Sequence, residues 1–186
     1  EYILIYQLDA FVFRDELAYW CKKGYDYIGA PWFKQFWRFK PSKKLYAVGN
    51  GGFSLRKVSS CIQVLQHKGK FKSDTHRFTP LNSIFVKLKK LPLSKWKEIR
   101  IQNSVNFFVY INRKSEDRFW SLDTQNSNVA FYVAPIEEGV KFAFEYAPTY
   151  MFELNGRKLP FGCHAWNRYE PDFWNKIIEN ELKNTL

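Results

Sequence analysis

The chain has 186 residues, enough for a domain with a proper core, and 19% of them are aromatic, too much apolar surface for a disordered chain. No apolar run approaches the ~20 residues that a membrane-spanning helix needs, and the opening residues carry no signal-peptide pattern. Cys21, Cys61 and Cys163 are odd in number and form no CxxC pair, which supports neither a zinc ribbon nor a disulfide framework and points to a reducing, cytoplasmic compartment.

The net charge of +11 is uneven: residues 31–100 hold 17 Lys or Arg against only Asp74 and Glu98. One third of the chain therefore carries the whole basic excess. Phosphates of a small ligand, an anionic membrane surface and nucleic acid are the partner classes that this charge suits, and a solvated face is the plain alternative.

In chain order, Glu1–Phe13 (EYILIYQLDAFVF) opens with Ile3, Leu4, Ile5 and Tyr6. This short apolar run predicts a strand buried on both faces, as in a parallel sheet. It stops at Gln7-Leu8-Asp9, placing a carboxylate at the carboxyl end of the strand, where open α/β sheets bind ligands. Asp9 equally suits a turn. Asp15 reads as the N-cap of a helix carrying Leu17, Trp20 and Cys21, with Gly24 at its C′ position. Tyr25–Gly29 predicts a short strand, and Phe33–Lys44 an exposed loop of aromatics and cations. Leu45–Leu55 contains AVGNGGFSL, a glycine-dense turn followed by a strand. It is neither a P-loop, which needs Gly-Lys-Ser/Thr, nor a dinucleotide fingerprint. Its glycines allow close backbone approach to a strand or a ligand.

Lys57–His67 predicts a helix with Val58, Cys61, Ile62 and Leu65 on one face. Thr79-Pro80 opens a basic amphipathic helix with Leu81, Ile84, Phe85 and Leu88 inward, a pattern that serves core packing or a membrane surface. Trp96–Ile111 is ambiguous between helix and strand. Ser115 caps a short helix whose first turn holds Glu116 and Asp117. Asn128–Pro135 predicts a strand, Ile136–Glu145 is mixed, and Thr149–Leu154 is a helical turn ended by Gly156. Leu159–Trp166 (LPFGCHAW) is tight and extended, and Pro171–Leu182 is an amphipathic helix.

Three places have chemical potential: Asp9, the pair Glu116-Asp117, and His164. A strand-end Asp and a neutral His are suitable ligands for one divalent cation, with positions left for a ligand's phosphates. A separate carboxylate then suits a general base toward a hydroxyl. The plain alternatives are helix-start acids and a satisfied buried histidine. Cys163-His164 is not a nucleophile–base pair, because neighbours in an extended segment point to opposite sides.

The stretches YQLDAFVFRDEL, YDYIGAPW, VGNGGFSLRK, SEDRFWS, VAPIEEGVKFAFE and LPFGCHAW, in this order, resemble a mostly bacterial family similar to glycosyltransferases of the A-type fold. The resemblance implies an α/β domain over 1–186, with a mixed, mostly parallel sheet flanked by helices, like the C-terminal part of that fold without an upstream nucleotide-binding part. It implies a nucleotide-sugar-dependent transferase with a divalent cation, Mn²⁺ or Mg²⁺, held by Asp9 and His164. Gln7 stands where the family's metal motif has a first Asp and removes one charge. Gln7, Trp32, Asn50, Gly51, Gly52, Phe53 and Ser54 would line the donor and acceptor site, with Trp32 and Phe53 stacking on sugar rings. Asp117, with Glu116 beside it, would be the base of an inverting reaction. The expected partners are a nucleotide-sugar donor and a glycan or lipid-linked glycan acceptor, in surface-polysaccharide assembly, at a cytoplasmic place on the inner membrane surface. A basic nucleic-acid-binding module and an inactive sugar-binding relative are the alternatives; nucleic acid is the less favoured partner.

Overall fold

The computed structural model describes residues 1–34, 43–67, 116–126 and 128–185. The chain divides into two compact units, Glu1–Val58 with Tyr132–Leu186, and Ser59–Phe131.

Among the described residues of the first unit, the chain forms three small sheets. β1 (Tyr2–Tyr6) and β3 (Tyr27–Gly29) flank β6 (Phe53–Lys57), both antiparallel to it. β4 (Pro31–Phe33) pairs with β5 (Leu45–Val48). The third sheet is mixed: β8 (Gly162–His164) lies between β2 (Ala10–Val12), antiparallel, and β7 (Ala143–Phe144), parallel. The architecture is mixed α/β, but the sheets are small and mostly antiparallel, which corrects the expected mostly parallel sheet. The reason is visible in β1. Its apolar run does not come from burial on both faces: Ile3 and Tyr6 are about half exposed, and β1 lies at the end of its sheet's strand order. An apolar run does not by itself distinguish these two settings.

Alternation along β6 builds the core. Leu55 pairs with Leu4 on one side and Ile28 on the other, and Phe53 pairs with Tyr6. Phe53, Leu55 and Ile28 are buried with Trp20, Phe142 and Phe161. The intervening Ser54 and Arg56 point to the other face and are buried too. Arg56 Nε and Nη2 donate to Ser54 Oγ at 3.1 and 3.0 Å, and the guanidinium lies over the Tyr27 ring at 5.5 Å. A second cluster gathers Phe33, Phe144, Met151, Cys163, Trp174 and Ile178.

Helix α1 (Leu17–Lys22) buries Trp20. Its N-cap is Glu16, with no side-chain cap bond, so Asp15 does not fill the expected role, whereas Gly24 ends the helix at φ +78° as expected. The predicted strand over Asn128–Pro135 is reduced to one parallel bridge, Tyr27 to Val133. The mixed segment resolves into α4 (Ile136–Phe142) followed at once by β7. α5 (Pro148–Leu154) and α6 (Pro171–Thr185) complete this unit.

In the second unit, α2 (Val58–Gln66) begins at the last residue of the first unit. α3 (Glu116–Arg118) runs into a π-helical turn, Phe119–Asp123, and a 3₁₀ turn, Thr124–Asn126. Trp120 stacks on Phe131 at 5.6 Å, and Thr124 Oγ1 donates to the Trp120 carbonyl at 2.7 Å. The expected helix at Thr79-Pro80, the Trp96–Ile111 segment, the Ser115 cap and most of the Phe33–Lys44 loop lie outside the described residues. Among the described residues, no helix is long and apolar enough to cross a membrane.

Candidate functional site

The site is a consequence of strand register around β8. Ala10 is the cross-strand partner of His164, so Asp9 comes to the neighbouring position just before it. On the other side Phe144 pairs with Cys163 in parallel, so Glu145 continues to the level of His164. One histidine thus sits between carboxylates delivered by the strands on either side.

Gln7 arrives from β1. Its N–H donates to the Gly52 carbonyl at 2.9 Å, and its carbonyl accepts from Ala10 N–H at 3.0 Å. That second bond closes a tight turn over Leu8 and Asp9, and Tyr6 donates its hydroxyl to the Ala10 carbonyl at 2.9 Å across it. Asp9 is therefore both a turn residue and a site residue. Leu8, at the tip, is fully exposed.

His164 divides its two nitrogens. Nδ1 is 3.0 Å from Glu145 Oε1; Nε2 is 3.1 Å from Gln7 Oε1 and 3.3 Å from Asp9 Oδ1. The imidazole is 12% exposed, Glu145 23% and Asp9 36%, which places the histidine behind and Asp9 toward solvent. Burial alone pushes the imidazole down, but the hydrogen bond and charge of Glu145, then Asp9, outweigh it and hold His164 above its ordinary value. Cys163, on the opposite side of β8, is fully buried and inert. Burial pushes its thiol up to about 12, a backbone hydrogen bond from Phe11 works against this, and the Asp9 charge adds to it.

The glycine-dense turn forms the wall beside the histidine. Asn50 takes φ +95°, a conformation that Asn tolerates better than most residues. Its Oδ1 accepts from Gly52 N–H at 2.8 Å and Phe53 N–H at 3.1 Å, and its carbonyl accepts from the Tyr27 hydroxyl at 3.1 Å. A side chain on Gly49 would run into the Trp32 indole, and one on Gly52 into the His164 ring. The turn thus reaches from an aromatic ring at one end to the imidazole at the other, and close approach is what its glycines provide.

The structure brings together Gln7, Asp9, Gly52 and His164. Trp32 is half-buried at the far end of the turn, and Asn50 is buried within it. Phe53 is not a sugar-stacking surface: it is fully buried, with its ring against those of Tyr6, Phe142 and Phe161. Ser54 is fully buried as the acceptor for Arg56. Glu116 and Asp117 open α3 in the second unit, where Asp117 Oδ1 accepts from the Arg118 N–H at 2.8 Å. The residue that sequence reasoning missed is Glu145. Its signal was the same as that of Asp9, an acid ending a short apolar run, here AFE after a helix.

Among the described residues, no group of three or more His, Cys, Asp and Glu is arranged to hold a metal ion. The donors facing one another are Asp9, His164 and an amide oxygen, that of Gln7. Of the basic stretch 31–100, residues 31–34 and 43–67 are described.

No curated protein and no solved structure matches this chain. A family model described as "Protein of unknown function (DUF5672)" matches residues 1–164, which include every residue of the site above. The chain belongs to that family.

Proposed function

We propose that this chain is a glycosyltransferase that moves a sugar from a nucleotide-sugar donor to a hydroxyl acceptor with inversion. The observation that carries the reading is the meeting of Gln7, Asp9 and His164 at the end of β1 and β8, beside the glycine-dense turn. The resemblance of YQLDAF, VGNGGFSLR and LPFGCHAW to A-type glycosyltransferases supports it from the sequence.

Asp9 Oδ1, His164 Nε2 and Gln7 Oε1 are oxygen and nitrogen donors of the kinds that bind Mn²⁺ or Mg²⁺, and the two oxygens lie 3.3 Å (Asp9) and 3.1 Å (Gln7) from Nε2. Asp9 and His164, with the Gln7 amide oxygen, would hold Mn²⁺ or Mg²⁺. Such an ion, when bound, supplies the charge that stabilises a departing diphosphate. The remaining work belongs to side chains. Trp32 offers an aromatic surface at the end of the glycine turn. The resemblance of SEDRFWS assigns Asp117 as the base, which would take the proton from the acceptor hydroxyl as that oxygen bonds to the anomeric carbon and the bond to the diphosphate oxygen breaks. The basic excess suits an anionic donor and an anionic inner membrane surface that presents a lipid-linked acceptor.

The test is Asp117→Asn. It is expected to abolish transfer, by about 10²-fold or more for loss of a general base, while leaving donor binding intact. Unchanged turnover would remove the assigned base and, with it, this form of the mechanism.

A further inference from the structure

We propose that Glu145 is a positioning residue that holds the Nδ1–H of His164 and so reserves Nε2 for the Gln7–Asp9 side. Its functional consequence rests on the metal-and-diphosphate reading above; its geometry does not.

Three observations carry it. First, the parallel register of Phe144 with Cys163 leads directly into Glu145 and His164, whose side chains meet at 3.0 Å. Second, the contacts divide between the two nitrogens among the described residues: Glu145 Oε1 lies 3.0 Å from Nδ1, and the Gln7 and Asp9 oxygens of the β1–β2 turn lie 3.1 and 3.3 Å from Nε2. Third, both strands end in strained turns. Ala147, two residues after Glu145, has φ +51°, and Ala165, directly after His164, has φ +52°. Alanine takes this left-handed conformation at a cost of ~1–2 kcal/mol, so the surrounding structure holds both strand ends against it.

A neutral imidazole has one N–H and one lone pair, and the partner of the first decides where the second points. With Nδ1–H held by the Glu145 carboxylate, Nε2 is the nitrogen left to the Gln7–Asp9 side: it donates to their oxygens while the ring is protonated and presents its lone pair there once that proton leaves. It also raises the basicity of that nitrogen, as carboxylates behind metal-binding histidines do. Glutamine at position 7 complements this. Its carboxamide can present NH₂ to a free Nε2 lone pair or turn its oxygen to the same place, which an aspartate cannot do.

The experiment uses the full chain, wild type, Glu145→Gln and Glu145→Ala. Nitrogen–proton correlation spectra of the metal-free proteins in alkaline buffer report the His164 tautomer, and titration with Mn²⁺ alone reports affinity. Wild type is expected to carry the proton on Nδ1. Glu145→Gln, whose amide oxygen still accepts, keeps that tautomer, whereas Glu145→Ala mixes the two and binds Mn²⁺ about 10–100-fold more weakly. A wild-type proton on Nε2, or an unchanged tautomer in Glu145→Ala, overturns the inference. If the tautomer moves as expected but no variant binds Mn²⁺, Glu145 keeps its positioning role and the metal reading fails instead.

Discussion

A side chain on Gly52 would collide with the imidazole of His164, so the glycine-dense turn and the histidine are fitted to one another. Gly52→Ala is accordingly expected to push the ring off its contacts with Gln7 and Asp9. The obstacle is the end of a side chain, so the cost in stability should stay near 1–2 kcal/mol, while Mn²⁺ binding and transfer are lost. Gly29→Ala makes the control. There the new methyl meets the backbone carbonyl of Gly49, which cannot swing away, and the fold itself should suffer by about 3 kcal/mol or more. Thermal melts beside Mn²⁺ titrations separate the two results.

Ala165→Gly is expected to do the reverse. Removing the methyl at φ +52° relieves left-handed strain and should stabilise the protein by roughly 0.5–1 kcal/mol. The freed turn holds His164 less firmly, so ligand affinity should fall as the melting temperature rises. A variant that loses stability would show that the strain account of this turn is wrong.

Phe53 decides between a core and a ligand surface. Phe53→Ala is expected to cost 3–5 kcal/mol in chemical denaturation, because a fully buried ring is removed from among Tyr6, Phe142 and Phe161. Phe53→Leu should restore most of that stability and leave sugar-ligand affinity unchanged, where loss of a stacking ring would weaken it.

The pH dependence has a definite sign. His164 in the metal-free fold lies above the ordinary histidine value of about 6.5, with Glu145 and then Asp9 overcoming the opposing effect of burial. The folded state binds this proton more tightly than the unfolded chain does. The stabilisation is complete below about pH 6.5 and is lost as pH rises through the folded value. Denaturant melts across that window should show a decline that Glu145→Gln makes shallower. Mn²⁺ affinity should rise over the same window, since the proton must leave Nε2 first.

The fold was legible where the pattern was local. The AVGNGGFSL turn and its strand, the helix after Lys57, the extended LPFGCHAW segment and the closing helix all lie where the sequence places them, within a few residues. What failed depended on neighbours that a sequence does not show. The Ile3–Tyr6 run looks the same whether its sheet is parallel and covered or antiparallel with β1 at the end of the order. Phe53 sits in a motif with a ligand-lining look, but alternation along β6 turns it into the core. Asp9 and His164 were legible as separate candidates. Glu145 was not, because only the parallel pairing of β7 with β8 brings it beside the histidine.

Gln7, Asp9 and His164 are proposed to form the diphosphate end of a nucleotide-sugar site. The most direct test is thermal shift of the full chain with a panel of nucleoside diphosphates, each with and without Mn²⁺, since a ligand that binds the folded state raises its melting temperature. At a ligand concentration of about 100 Kd the stabilisation is roughly 2.7 kcal/mol, a shift of several degrees. At least one nucleoside diphosphate with Mn²⁺ is expected to give such a shift in the wild type and none in Asp9→Asn or His164→Ala. No shift across the panel, or a shift that survives both substitutions, would contradict this site.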